Sequence, residues 1–163
     1  MTERSSRPAT FEDLKTLLRA LHDQRVDYLL IGGYALYVHG YQRATIDIDV
    51  LVPATRETGE RVKKALLVLP DQAAREIDPA WFEDGENIRV ADTFVVDLML
   101  RAGGETFESL QPFAETIDID GIPVRTLNLE GLLRTKNTQR DKDRIDRSVL
   151  ERALAELHRK GPQ

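Results

Sequence analysis

The sequence predicts an α/β or α+β fold, a mixed β-sheet flanked by helices with a helical C-terminal segment. Two observations carry that expectation. Hydrophobic periodicity alternates along the chain as helix, strand, helix, strand, helix, then strands, then helices, an order that builds layered sheets with helices on their faces. The chain of 163 residues shows no repeat, low-complexity stretch or linker, so residues 1–163 read as one domain.

Residues 1–9 are polar and expected to fray. Thr10 then opens a helix in which Phe11, Leu14, Leu17, Leu18 and Leu21 recur at helical spacing, with Thr10 and Asp13 forming a capping-box variant. Asp27–Ile31 is a short apolar run that stops at Gly32-Gly33, as a buried strand would, and Tyr34–His39 fits a short helix closed by Gly40. Thr45–Val52 alternates: Ile46, Ile48 and Val50 fall on one face, Asp47 and Asp49 on the other, and Pro53 ends the strand. Residues 55–69 form an amphipathic helix, and 70–85 a loop with a helical turn around Trp81. Strands follow at Asn87–Ala91 and Thr93–Leu100, and Gly103-Gly104 marks a loop. Residues 115–127 read as a hairpin turning at Asp120-Gly121. From Asn128 to about His158 the pattern is helical, with a break near Asn137–Asp141.

Composition narrows the chemistry. Hydrophobic residues make up 41% and charged residues 31%, a globular balance. The absence of cysteine excludes thiol nucleophiles, zinc–cysteine sites and disulfides, and fits a cytoplasmic protein. No apolar run approaches the roughly 20 residues of a spanning helix, and the N-terminus lacks a signal-peptide core, so no membrane role is expected. A net charge of −5 provides no global field for nucleic acid, which leaves any RNA contact to a local patch.

The informative stretch is residues 28–52, YLLIGGYALYVHGYQRATIDIDVLV. Carboxylates at i and i+2 on a strand point to one face, with Cα atoms roughly 7 Å apart, and can converge on divalent ions. Magnesium favours such oxygen donors together with phosphate and water. Upstream, Gly32-Gly33 follows a strand and opens a helix, so a phosphate can come close to backbone that carries no Cβ, at an end that favours anions. Asp97 stands alone in the apolar run FVVDLML. Burying an ionised carboxylate there is costly unless it is paired, and a metal shared with Asp47 and Asp49 would pair it if the two strands are neighbours.

These residues resemble a family. Gly32-Gly33, Ala35, His39-Gly40, Arg43, Thr45 and Asp47-x-Asp49, with a later strand carboxylate at Asp97, are similar to the nucleotidyltransferases of the DNA polymerase beta superfamily. Within it the chain resembles the AbiEii-type abortive-infection toxins, through Lys136 and the Lys142-Asp143 unit. The resemblance implies a nucleotidyltransferase-like fold and transfer of a nucleoside monophosphate from an NTP such as ATP to an acceptor hydroxyl, on an RNA end such as tRNA, a small molecule or a protein. It implies two Mg2+ ions, replaceable by Mn2+, held by Asp47, Asp49 and Asp97, which are also the catalytic residues. Gly32, Gly33, Arg43 and Lys136 would bind nucleotide, with Asp143 or Asp146 in support. It further implies a toxin role with an antitoxin partner. One departure is the glycine at position 33, where many superfamily members carry a phosphate-binding serine.

Structural alternatives stand beside each residue. Asp118 and Asp120 repeat the Asp-x-Asp spacing with no glycine pair upstream, and the hairpin turn explains them. Asp97 could simply pair with an arginine such as Arg89. His39, in the last turn of its helix, reads as structural, and Arg43 could hold either phosphate or its own loop. Residues 134–147 carry six basic and three acidic side chains, a run that usually marks a solvated helix face. Two other functions compete: a catalytically silent nucleotide-binding or antitoxin-like module, and an Asp-x-Asp phosphohydrolase.

Overall fold

A computed structural model describes residues 6–41, 47–136 and 141–160, with backbone alone for 141–146 and 158–160. Among the described residues five helices and six strands alternate much as the periodicity requires. Helix α1 spans Phe11–Asp23, strand β1 Leu29–Ile31, helix α2 Gly32–Val38, strand β2 Ile48–Leu51 and helix α3 Arg56–Leu66. Short 3-10 turns at Ala73–Glu76 and Pro79–Phe82 lead to β3 (Ile88–Ala91) and β4 (Val95–Met99). Strands β5 (Ala114–Ile119) and β6 (Ile122–Leu127) precede α4 (Leu129–Arg134) and α5 (Asp141–Lys160).

The strands form one mixed sheet in the order β3-β4-β2-β1-β6-β5. β2 runs parallel to β4 and antiparallel to β1, while β1 runs parallel to β6. One face of the central strands is apolar, with Leu30, Ile48, Val50, Val96 and Leu98 all fully buried, the pattern expected of a face packed on the core. The β5–β6 hairpin turns where expected. Asp120 (φ 52°) and Gly121 (φ 82°) both adopt the left-handed conformation that a two-residue type I′ turn requires.

Helix α1 is fixed at both ends. The Thr10 side chain accepts from Asp13 N–H while the Asp13 side chain accepts from Thr10 N–H, the predicted capping box. At the other end the His22 Nε2 lies 2.9 Å from the Tyr28 hydroxyl, and that hydroxyl accepts from Arg125 N–H at 3.3 Å. Burial holds the His22 pKa below its ordinary 6.5. A histidine with a depressed pKa stabilises the fold above its unfolded pKa and loses that contribution as pH falls toward the folded one. Between pH 7.5 and 5.5 the urea midpoint of the protein should drop relative to that of His22→Gln; parallel curves would contradict this.

Two expectations are corrected. Of the segment expected to fray, residues 1–5 lie outside the described residues, and residues 6–9 are tied to the fold: Arg7 N–H donates to Thr93 O at 2.9 Å, the Ser6 hydroxyl to Asp92 O at 2.7 Å, and the Tyr34 hydroxyl to Ala9 O at 2.6 Å. Helix α2 begins at the glycine pair instead of at Tyr34, because Ile31 already serves as its extended N-cap. The C-terminal segment forms two helices, as expected: α4 ends at Arg134, with the Thr135 hydroxyl donating to Leu132 O at 2.6 Å, and α5 begins at Asp141; residues 137–140 lie outside the described residues.

Asp92 organises the edge where the N-terminal segment docks. It is 2% exposed, and its carboxylate accepts from the backbone N–H groups of Asp71, Ala73 and Thr93 at 2.7–2.9 Å. Asp92→Ala leaves three partly buried donors without their acceptor, so chemical denaturation should show a loss of about 1–3 kcal/mol. A loss below about 0.5 kcal/mol would show that water replaces the carboxylate at no cost.

Candidate active site

Register brings the three aspartates together. Asp49 pairs directly with Asp97 across the parallel β2–β4 ladder, and with Ile31 on its other side. Asp47 lies two residues before Asp49, immediately ahead of β2, so strand alternation sends it to the same face. Asp49 and Asp97 are half-open positions within strands whose other residues are mostly buried, and the side chains of Asp47 and Asp97 retain only 16% and 20% exposure. The condition set by the sequence, that the strands of Asp49 and Asp97 be neighbours, is met.

Arg89 is opposite Asp97 in the antiparallel β3–β4 ladder. Its Nη1 lies 3.2 Å from Asp47 Oδ2 and 3.3 Å from Asp97 Oδ1. One nitrogen thus touches both carboxylates, and their oxygens can be no farther apart than twice that distance. The arginine pairing considered as an alternative for Asp97 is therefore present, and it extends to Asp47. Among the described residues no three acidic or histidine side chains converge as an ion would require, and Asp47 and Asp97 converge on Arg89 instead. The donor set itself suits magnesium: three carboxylates on one face of two adjacent strands, in a partly enclosed position.

Gly32 has a reason for being glycine that the sequence did not disclose. Its φ is +73°, and a Cβ built on it would lie 2.4 Å from Asp49 Oδ2. The close approach expected for a phosphate is occupied at this position by the Asp49 carboxylate. Gly33 follows within α2 and is buried.

Beside Asp49 opens a cleft of about 280 Å3, lined in part by Ile31, Asn87, Met99, Arg101, Thr135 and Lys136. Lys136, just past the end of α4, is 8% exposed, so the predicted nucleotide-binding lysine and Asp49 share one cavity. Arg101 and Asn87 were missed by sequence reasoning. The Asn87 side-chain carbonyl accepts from Leu100 N–H at 2.8 Å and Arg101 N–H at 3.4 Å, which fixes the chain where Arg101 enters the cleft. The available signal was a basic residue directly after the strand that carries Asp97.

The remaining candidates separate cleanly. Arg43 and the side chains of Lys142, Asp143 and Asp146 lie outside the described residues. His39 caps α2, with Nε2 2.7 Å from Leu127 O and 3.4 Å from Glu115, the structural role expected of it. Asp118 and Asp120 are exposed on the hairpin at the far edge of the sheet, and Asp120 lies 3.4 Å from Lys15.

No family model and no curated protein matches this chain by sequence. Solved structures do. A candidate nucleotidyltransferase of Thermotoga maritima, TM1012, is similar over 92% of this chain and 98% of its own, with a TM-score of 0.54 and 15% identity. The antibiotic-resistance factor ANT(2'')-Ia is similar over 86% of this chain and 82% of its own, with a TM-score of 0.55 and 15% identity. At that identity the likeness is one of fold: this chain has the mixed-sheet nucleotidyltransferase fold. No helix among the described residues is long and apolar enough to cross a membrane.

Proposed function

We propose that the protein is a metal-dependent nucleotidyltransferase that moves a nucleoside monophosphate from an NTP to an acceptor hydroxyl and releases pyrophosphate. The observation that carries the reading is the register of Asp49 against Asp97, with Asp47 on the same face, beside a cleft that also contains Lys136. The fold shared with TM1012 and ANT(2'')-Ia supports it.

Asp47, Asp49 and Asp97 would hold magnesium, which when bound lowers the pKa of a coordinated hydroxyl and neutralises charge on a leaving phosphate. The acceptor oxygen attacks the α-phosphorus, the bond to pyrophosphate breaks, and the Asp97 carboxylate accepts the hydroxyl proton. Lys136 and Arg101 offer fixed positive charge to the phosphates in the cleft, where partial burial strengthens it. The backbone at Gly33, and Arg43, belong to the same nucleotide grip through the family resemblance. A toxin role, an antitoxin partner and a tRNA acceptor rest on that resemblance alone.

The test is incubation with each α-labelled NTP, magnesium and cell lysate. Label should move to RNA, protein or a small molecule only with metal present. Release of labelled nucleotide with no labelled acceptor would make the protein a hydrolase. Nucleotide binding without turnover would make it a silent module.

A further inference from the structure

The site contains a cation of its own. Arg89 reaches from β3, the edge strand of the sheet, and places one nitrogen between Asp47 and Asp97. Its side chain is 61% exposed while the carboxylates it touches are 16% and 20% exposed, so the arginine approaches from solvent and can withdraw to solvent without disturbing the core. Its distances of 3.2–3.4 Å to three carboxylate oxygens are those of a loose ion pair, longer than the 2.7–2.9 Å of a tight one. Like-charged carboxylates gathered on adjacent strands repel one another, and Arg89 offsets that repulsion.

From this we infer that Arg89 is a built-in competitor for the metal position: it balances Asp47 and Asp97 in the ion-free protein and must leave them for a divalent ion to be held. This rests on the reading of those aspartates as metal-binding. Two effects act in the same direction. The ion has to displace the guanidinium from both carboxylates, and a guanidinium that stayed close would repel it. Arg89 therefore weakens metal binding while offsetting the repulsion between Asp47 and Asp97. Its exposed side chain means that Arg89→Gln should still fold, at a modest cost in stability.

The test uses Mn2+ alone, with free ion measured by electron paramagnetic resonance, on the full chain and its Arg89→Gln, Arg89→Lys and Arg61→Gln variants. Arg61 pairs with Glu57 on its own helix, so Arg61→Gln makes the same change in net charge away from the aspartates. Arg89→Gln should bind Mn2+ roughly three- to tenfold more tightly, the scale of one or two half-exposed ion pairs. Arg89→Lys and Arg61→Gln should stay within about twofold of the parent. Thermal unfolding without metal should be lower for Arg89→Gln, and saturating Mn2+ should narrow the gap. Equal or weaker Mn2+ binding by a folded Arg89→Gln protein overturns the inference, as does equal tightening in Arg61→Gln. If neither the parent nor Arg89→Gln binds Mn2+ at millimolar concentration, the metal reading itself falls and this inference falls with it.

Discussion

Asp49→Asn is expected to lower nucleotidyl transfer by at least 10²–10³-fold, the range lost when a single electrostatic stabiliser of a reaction is removed. The substitution keeps size and hydrogen-bonding capacity and removes one charge from the central position of the three, the one that faces Asp97 directly and packs on Gly32. The fold should tolerate it, because β2 is held by its ladders to β1 and β4 and not by this carboxylate. Without metal the variant should be equally or slightly more stable, since repulsion from Asp47 and Asp97 is relieved. Asp118→Asn is the matched control, the same chemical change within the same Asp-x-Asp spacing. Asp118 is exposed on β5, at the other end of the sheet, and its substitution should leave activity within a few-fold. Circular dichroism should verify both folds before rates are compared. Equal losses in the two variants, or no loss in either, would mean the site has been misplaced.

Gly32→Ala should be nearly as damaging, for a steric reason. The left-handed conformation costs an alanine about 1–2 kcal/mol, and its Cβ would meet the Asp49 carboxylate at 2.4 Å, closer than any real contact. Either Asp49 turns away from its face or β1 shifts against β2. The expected result is a loss of at least 100-fold in transfer, on the scale of Asp49→Asn, with a fall in stability that Asp49→Asn does not show. Gly32→Ala retaining near-parent activity would mean that Asp49 can do its work from another rotamer.

Much of this arrangement could be read from the sequence because it rests on local periodicity. The apolar run of β1, the alternation that sends Asp47 and Asp49 away from Ile48 and Val50, and the Asp120-Gly121 turn are each set within a few residues. Asp97 was also legible, since a lone carboxylate in an apolar strand must be accounted for. Contacts between distant segments were not. Nothing near Gly32 indicates that Asp49 will lie against its Cα, because strand pairing across the intervening helix and loop decides it. The carboxylate of Asp92 collects backbone donors from 71 and 73, a contact no local pattern discloses, and the turn it stabilises receives the N-terminal segment. The role of Arg89 follows from its register opposite Asp97, which composition and spacing leave open. Lys136 was selected through family resemblance, and its burial beside Asp49 in one cleft is a tertiary fact.

The most direct measurement is a crystal structure of the protein with Mn2+ and a non-hydrolysable NTP analogue, read by anomalous scattering. Manganese should lie between the carboxylates of Asp47, Asp49 and Asp97, with the triphosphate extending toward Lys136 and Arg101 and with Arg89 withdrawn from Asp47 and Asp97. Manganese bound elsewhere, or a nucleotide seated in the cleft while Arg89 still pairs with both aspartates and no metal lies among the three, would contradict the assignment.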